Sequence, residues 1–379
     1  MTLIALHMLQ NHAPSNLNRD DNGDPKDALF GGTRRARISS QALKRSIRWH
    51  EDFRNAFPEQ VLAFRTQLLP EEVRKRLSNT NLDAAAQQAI VEAVVKFGKA
   101  DSGDAGESGE KGGKKKPTDT KLKNKQLMFL AAHEIDQLTE ELVEKYTRDP
   151  KAFASTKWDN FRQGNDEKYI PHSVDIAMFG RMTTSSPFKD VEAAVQVAHA
   201  LSTHTVEQEF DFYTAVDDIS GEAGAGFLGE TSFNSATYYK YINIHWEGLL
   251  ANLQNDHELA AQAVRTLIHT ATVANPSGKQ NSFAAHNLPD LVLVEVSPNN
   301  SPLSYANAFL KPVRAQSGRS LIEESALALR DYSSKLREVY DLESQLAYFT
   351  TLDGLDWPNA IRHTSRKALL EWLPLPTGA

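Results

Sequence analysis

The residues best suited to bind a charged ligand form a dense basic stretch near the start of the chain. Six Lys and Arg side chains lie between Arg34 and Arg48, and no Asp or Glu lies among them. The whole chain has a formal net charge of −7, so the residues outside this stretch sum to −13. Such a stretch is usually a solvated helix face with ion pairs, but cations without acids among them can also bind phosphates of a nucleic acid.

The elements that position these cations are predicted from local patterns. Residues Thr33–Ile38 alternate as a short strand, which puts Arg35 and Arg37 on the same face. Either of the two serines that follow the strand is a good helix N-cap, and a helix follows from Gln41. On that helix a stripe about 100° wide contains the four polar or basic side chains Gln41, Lys44, Arg45 and Arg48.

Phosphate binding is the function that this geometry favours. Backbone N–H groups at a helix N-terminus bind anions, and the strand and helix point their cations toward the same end. Gly31 and Gly32, just upstream, would let a ligand backbone approach closely.

Other motifs carry less weight. GAGFLG at 224–229 matches the dinucleotide fingerprint by letter, but an acidic loop precedes it and a β-rich run follows, so a flexible hairpin tip is expected. The loop acids Asp20, Asp21, Asp24 and Asp27 lack the spacing of a calcium loop, and turn formation is the favoured interpretation. The chain has no cysteine. We find no zinc, serine-hydrolase or P-loop motif, and we expect no metal and no cofactor.

The remaining pattern predicts an α+β fold with an antiparallel sheet. Strands are expected at 2–9, 173–182, 233–246 and 291–296, with two extended arms around a Gly-rich tip at 207–230. Residues 10–32 are expected to be loop. Helices are expected from Asp190, at 256–274, at about 320–340 and at 360–372, and most of 52–165 is a helical insertion. Within it, 98–120 is of low complexity and is predicted to be disordered. A βαββαβ core of the RNA-recognition type fits this order.

Several long segments resemble one known family. They are LNRDD, KDALFGGTRRARISSQALKR, VDIAMFGRM, HALSTH, FYTAVDD and SPLSYANAF. Together they resemble the CasC backbone subunit of Cascade, the type I-E CRISPR surveillance complex. The segments are ordered and spread over most of the chain, and residues 52–165 are the part with least similarity.

The resemblance implies a hand-like organisation. A modified RNA-recognition-motif (ferredoxin-like) sheet would form the palm from 1–51, 166–206 and 231–379, the last with C-terminal helices. Residues 52–165 would form the fingers and 207–230 a β-hairpin thumb. The implied RNA contacts are Arg19, Lys26, Arg34, Arg35, Arg37, Ser39, Ser40, Gln41, Lys44, Arg45, Arg48 and Met182. The implied thumb residues that wedge between bases are Phe212, Tyr213 and Thr214.

The resemblance also implies partners. They are a crRNA, a target DNA strand, neighbouring copies in a head-to-tail filament and other Cascade subunits. The family has no catalytic role, so no enzyme activity is expected. Two alternatives stay open: a metal-dependent endoribonuclease that uses one of the loop Asp residues, and a free-standing RNA-binding protein. Whether Lys111–Lys125 touches DNA is open as well. With no leader sequence and no apolar run of about 18 residues, a cytoplasmic location without a membrane is expected.

Overall fold

The computed structural model describes residues 2–97, 122–158, 161–162, 169–183, 187–216, 223–299 and 301–376. The predicted disorder at 98–120, most of Lys111–Lys125 and the tip of the predicted hairpin at 217–222 lie outside these residues. The chain divides into two compact units. The first comprises Met1–Ala56, Val195–Leu250 and Asp256–Ala379, and the second comprises Phe57–Ala194 and Ala251–Asn255.

The strands belong to two sheets. They are β1 (Leu3–Ser15), β2 (Asp27–Phe30), β3 (Thr33–Ile38), β4 (Ala63–Thr66), β5 (Met128–Ala131), β6 (Val195–Val197), β7 (Ala200–Ser202), β8 (Glu209–Val216), β9 (Ala223–His245), β10 (Leu291–Ser297), β11 (Gln345–Thr350) and β12 (Ala360–Arg362). Among the residues that the structure describes, the second unit contains the strands β4 and β5, which pair with each other.

Both units contain helices. They are α1 (Ser40–Trp49), α2 (Glu51–Asn55), α3 (Leu69–Leu77), α4 (Ala84–Val95), α5 (Ala132–Arg148), α6 (Pro150–Ser155), α7 (Val174–Phe179), α8 (Trp246–Asn252), α9 (His257–Val273), α10 (Gln280–Phe283), α11 (Leu321–Val339) and α12 (Arg366–Trp372). None of the helices in the described ranges combines the length and apolar character needed to cross a lipid bilayer.

The large sheet of the first unit has the order β12-β11-β10-β1-β9-β7-β3-β2, and β6 and β8 also pair with β9. Its centre, β10-β1-β9-β6, is antiparallel throughout. With α1 between β1 and β6, and α9 between β9 and β10, this is the 4-1-3-2 arrangement of a βαββαβ core. The α+β class and the antiparallel, ferredoxin-like sheet are therefore confirmed.

The sheet is covered by apolar residues on the helix side and on the opposite side. Strand β1 is buried over its first eight residues, as expected for a central strand with both faces covered. On α9 the predicted apolar face is Leu259, Val264, Leu267, Ile268 and Ala271, and all of it is buried except Leu259, which is half-buried. On another part of the sheet, Tyr305 and Leu329 belong to a core that also holds residues of β10 and β11. These layers fix the positions of β3 and α1.

The second unit has its own core. Helices α3, α4 and α5 and the β4–β5 pair contribute apolar side chains to one cluster, which also includes Phe153 and Trp158. The helical character predicted for this part of the chain is confirmed for the described residues, and the β4–β5 pair was not predicted.

Two element types were predicted wrongly near the end of the second unit. The predicted strand Ser173–Met182 is the short helix α7. Its residues from Val174 to Met178 are all buried, and a short apolar run with every side covered has no period that separates strand from helix. Ser173 precedes the helix and donates its hydroxyl to Asp175 at 2.7 Å, while Asp175 also accepts the N–H of Ala63.

The helix predicted from Asp190 is instead the pair of short strands β6 and β7. Val195 and Val197 are buried on either side of an exposed residue, which is strand alternation. The apolar spacing that suggested a helix runs across the break between these two strands. Three further boundaries differ. The loop predicted from residue 10 begins later, because β1 continues to Ser15. Strand β2 interrupts the same loop, and the last predicted helix contains β12 before α12.

Candidate nucleic-acid interface

The N-terminus of α1 is built by a serine cap. Ser39 has extended backbone angles, and its hydroxyl accepts the N–H of Ala42 at 3.3 Å. Its own N–H donates to the side-chain oxygen of Asn18 at 2.8 Å, which ties the loop before β2 to the start of the helix. Ser39 is itself buried, so the more open Ser40 and Gln41 present the helix terminus to solvent.

The stripe predicted on α1 is only partly open to solvent. Gln41 and Arg45 are exposed and Lys44 is half-buried, whereas Arg48 is buried with 8% of its surface exposed. Leu43 and the residues on its side of the helix face the core. Arg48 is therefore a poorer phosphate ligand than its place in the stripe suggested.

The β2–β3 hairpin carries the next cations. Arg34 forms an ion pair with Asp27 at 3.1 Å, in which both side chains are exposed. Arg37 donates through Nε to the carbonyl of Asp27 at 3.0 Å and lies 3.2 Å from Nδ1 of His199. Burial, followed by the charges of Arg37 and Lys26, lowers the pKa of His199. The imidazole is therefore a neutral acceptor, and the hairpin adds cations beside the start of α1.

Arg35 does not belong to the solvent-facing set. Its side chain is completely buried, and it donates to the carbonyls of Ser202 (3.1 Å), Phe309 (2.8 Å) and Leu310 (3.3 Å). The proposal that Arg35 contacts RNA is therefore corrected. Its guanidinium satisfies backbone carbonyls inside the unit, because a buried donor of this size needs several acceptors.

Gly31 and Gly32 form the turn of the same hairpin, both with positive φ. A Cβ on Gly31 would lie 1.9 Å from the carbonyl oxygen of Leu310. The close backbone approach predicted at this glycine is thus made by the chain's own Leu310. Together with Arg35, Gly31 fixes the hairpin to the short helical turn at Ala306–Phe309.

The loop before β2 places Arg19 at the surface and uses its acids for turn formation. Asp20 accepts the N–H groups of Asn22 (2.9 Å) and Asp24 (3.0 Å) through one carboxylate oxygen. Asp24 accepts the hydroxyl of Ser232. Across the described ranges there is no cluster of three or more His, Cys, Asp or Glu side chains that could hold a metal ion.

The predicted hairpin arms are observed as β8 and β9. Along this pair Phe212 lies opposite Glu230 and Tyr213 opposite Gly229. Phe212 is 70% exposed and Tyr213 is 48% exposed, and Thr214 is exposed as well. The segment GAGFLG lies within β9, so its prediction as a flexible tip was wrong for that part of the hairpin.

Met182 lies in the second unit and is 93% exposed. The residue before it, Arg181, is buried and donates to Glu134 at 2.7 Å and to the carbonyl of Lys189. The backbone of Arg181 also pairs with that of Val191. The buried pair holds the segment in place, and the apolar side chain of Met182 is left at the surface.

Sequence reasoning missed two exposed aromatic residues. Phe210 is 54% exposed and lies two residues before Phe212, on the same face of β8. Trp49, also 54% exposed, ends α1 beside Arg45. The two-residue spacing of Phe210 and Phe212 along β8 could have indicated that Phe210 lies on the same face, whereas no motif in the sequence indicated Trp49.

The chain is similar to known proteins over almost its whole length. A family model described as "CT1975-like protein" matches residues 4–371. One similar solved structure is described as "CRISPR RNA-guided surveillance complex, pre-nicking"; it has 32% sequence identity, a TM-score of 0.79 and coverage of 97% of this chain and 98% of that one.

A second, "CRISPR RNA-guided surveillance complex", has 26% identity, a TM-score of 0.71 and the same coverages. None of the curated proteins matches. The family match begins in β1 and ends in α12, and so the chain belongs to the CT1975-like protein family.

Proposed function

We propose that the chain is the backbone subunit of a Cascade complex, specifically the CasC subunit of type I-E, and that it binds the phosphate backbone of crRNA. The observation that carries this proposal is the outward-facing group of cations around the capped start of α1. The two similar structures described as RNA-guided surveillance complexes support it, since each is similar over nearly its whole length.

The proposed cradle is the set of solvent-facing groups Arg19, Lys26, Arg34, Arg37, Ser40, Gln41, Lys44 and Arg45. Contacts to phosphates carry no sequence information, which suits a protein that must accept any guide. Reading of the target sequence would then come from base pairing between guide and target strand. Met182, as an apolar exposed side chain, is proposed to pack on guide bases.

The β8–β9 hairpin is proposed to act on the guide–target duplex. Phe212 is more exposed than Tyr213 and lies on the opposite face of β8. An exposed ring on a rigid arm can separate neighbouring bases and stack on one of them. The acids Glu207, Glu209 and Asp211 would then face basic residues of a neighbouring copy, and a head-to-tail contact that does not close produces a filament.

We further propose that the subunit itself does not catalyse a reaction, and that other Cascade subunits are its partners. The loop acids Asp20 and Asp24 are occupied as hydrogen-bond acceptors, and Asp27 is paired with Arg34. The endoribonuclease alternative requires one of these carboxylates, or that of Asp21, to act on RNA. Incubating the protein with RNA complementary to its guide, with and without Mg²⁺, decides between the two: intact RNA supports a binding subunit.

The cradle is tested by RNA affinity as a function of salt. Lys44→Ala and Arg34→Ala should each weaken binding to unrelated guide sequences by the same factor. Each should also reduce the magnitude of the log-affinity against log-salt slope by about 0.7 for single-stranded RNA. Lys367, 86% exposed on α12, is the matched control, and Lys367→Ala should change neither quantity.

A change in preference between guide sequences, or an equal effect of the control, would show that these side chains are not a phosphate cradle. Co-purification adds an independent check. The chain should carry a short RNA with one repeat-derived end, and a single RNA-bound copy by gel filtration would favour the free-standing RNA-binding protein.

A further inference from the structure

Trp49 lies at the surface beside two guanidinium groups. The Cζ atom of Arg45 is 5.7 Å from the centre of the indole ring, and that of Arg54 is 5.1 Å away. Both distances are within the range of cation–π attraction. The side chain of Trp49 stays 54% exposed, so part of the ring is open to a ligand.

The geometry depends on a break in the helix. Arg45 lies four residues before Trp49 on α1, where side chains are neighbours. Arg54 lies five residues after it, which on a continuous helix would put it roughly 140° around the axis. His50 interrupts the helix with extended backbone angles, and its Nδ1 accepts the N–H of Asp52 at 3.2 Å to start α2. This corner brings Arg54 back onto the indole.

Trp49 also lines a cavity of about 850 Å³ in the first unit. Arg19 and Arg45 line the same cavity, together with the loops around Asn18 and Asn275. Its volume falls within the range of pockets that hold small organic ligands, about 300–1,000 Å³.

The two loops are held against each other. A Cβ on Gly278 would lie 2.4 Å from the carbonyl oxygen of Leu17, so their backbones are in contact. Asp20 fixes the first loop through its two backbone hydrogen bonds. These two parts of the cavity lining are therefore held in place by contacts within the chain itself.

The chemistry of this cavity fits one nucleotide of an RNA strand. An indole ring offers a stacking surface, and the guanidinium groups of Arg19 and Arg45, which line the cavity, can bind phosphate. Arg54 adds a third guanidinium group through its contact with the indole ring.

We propose that Trp49, Arg45 and Arg54 form a nucleotide-binding subsite in which an RNA base stacks on the indole ring while its phosphate contacts the guanidinium groups. The subsite extends the proposed phosphate cradle by one base-contacting position per subunit and rests on that proposed function. Since every base has a stacking face, the subsite adds affinity without sequence preference.

The test compares two probes on the full chain: a labelled oligoadenylate RNA, and an abasic oligomer with the same number of phosphates. Trp49→Leu should lower affinity for oligoadenylate by about 5-fold or more and leave affinity for the abasic oligomer unchanged. Trp49→Phe should retain most of the binding, because the ring is kept. Tyr340, 67% exposed and remote in sequence, is the matched control, and Tyr340→Leu should change neither affinity.

Arg54→Gln should act differently from Trp49→Leu. It should weaken both probes and reduce the magnitude of the salt slope by about 0.7, because it removes one phosphate contact. If Trp49→Leu weakens both probes equally, or neither, the base-stacking subsite is wrong. If Arg54→Gln leaves both slopes unchanged, Arg54 is no part of it.

The cradle and the subsite fail in distinguishable ways. Lys44→Ala should weaken both probes if the cradle is correct. Unchanged affinity in Lys44→Ala and Arg34→Ala, with a base-dependent loss in Trp49→Leu, would reject the cradle and keep the subsite. Thermal unfolding of each variant should match that of the unchanged chain, since Trp49 and Arg34 are exposed; a large fall in unfolding temperature for Trp49→Leu would show a packing role instead.

Discussion

The ring of Tyr213 lies across Gly229 on the neighbouring strand. The two residues are directly paired between β8 and β9, and a Cβ on Gly229 would be 2.2 Å from Cζ of the tyrosine. An aromatic ring that covers a cross-strand glycine stabilises a strand pair that would otherwise lack side-chain contact. Tyr213 therefore braces the hairpin, and Phe212 on the other face is left exposed.

Gly229→Ala should displace the Tyr213 ring, because the added methyl group occupies its place. The glycine does not have a left-handed backbone angle, so the effect is steric. Amide hydrogen exchange of β8 should become faster, and the double change Gly229→Ala with Tyr213→Ala should restore part of the protection. Unaltered exchange in the single variant would contradict the packing described.

Phe212→Ala should weaken binding of target DNA while guide binding stays nearly unchanged. Loss of one base–aromatic stack is worth about 1–3 kcal/mol per contact, with effects across subunits that are not strictly additive. Chemical probing of the bound duplex should show regularly spaced unpaired bases, and fewer of them in the variant. Tyr340→Ala is the control for losing an exposed ring. If the periodic reactivity of unpaired bases persists undiminished in Phe212→Ala, the proposed role of Phe212 as a wedge is wrong.

Arg35→Met should destabilise the fold, whereas Arg34→Met should not. The first change leaves the carbonyls of Ser202 and Phe309 without their buried donor, which should lower the free energy of unfolding by about 2–4 kcal/mol. The second removes an exposed ion pair, worth about 0–1 kcal/mol. Urea unfolding of both variants measures the difference, and equal effects would show that Arg35 is not a structural residue.

Lys240 should make stability depend on pH. It is 2% exposed on β9 and donates to the side-chain oxygen of Gln10, and burial lowers its pKa from 10.5 to about 7. Because the folded-state pKa lies below the unfolded one, the unfolded chain binds more protons between pH 7 and 10.5. Stability should therefore rise with pH across this window, and the full penalty is present below pH 7.

Lys240→Met tests this dependence. The change should flatten the pH profile above pH 7 and raise the free energy of unfolding at pH 7 by roughly 1–3 kcal/mol, since a buried ammonium group is replaced by an apolar one. Lys367→Met, at an exposed position, should leave the profile unchanged. A profile in Lys240→Met that still rises between pH 7 and 10.5 would assign the effect to another group.

The central fold was predictable because its strands and long helices have clear patterns. The short apolar run Leu291–Val296 is typical of a buried strand and the apolar face of α9 follows the helical period, and the structure has both elements. Short elements were not predictable. Five of the six residues of α7 are buried, and the helix depends on contacts such as the one between Asp175 and the backbone of Ala63.

The candidate site was predictable as a charge pattern but not residue by residue. Alternation placed Arg35 and Arg37 on one face, yet Arg35 finds three carbonyl acceptors inside the unit and Arg37 stays near the surface. A pattern along the chain contains no information about Phe309 and Leu310, which are more than 270 residues away in sequence. The contacts of Trp49 with Arg45 and Arg54 were also not predictable from the sequence, because they depend on the break between α1 and α2 at His50.

The length of β9 has a mechanical consequence. Its 23 residues run without interruption from the β8 pair into the pairing with β1, and at about 3.3 Å per residue they span at most roughly 76 Å. A force on the β8–β9 hairpin is therefore transmitted along β9, as bending and shear, to the centre of the sheet in the first unit. About half of β9 is held there by its pairing with β1. Twisting of the hairpin should first change the pairing of Asn234 with Ser15, because the register between β1 and β9 already shifts there.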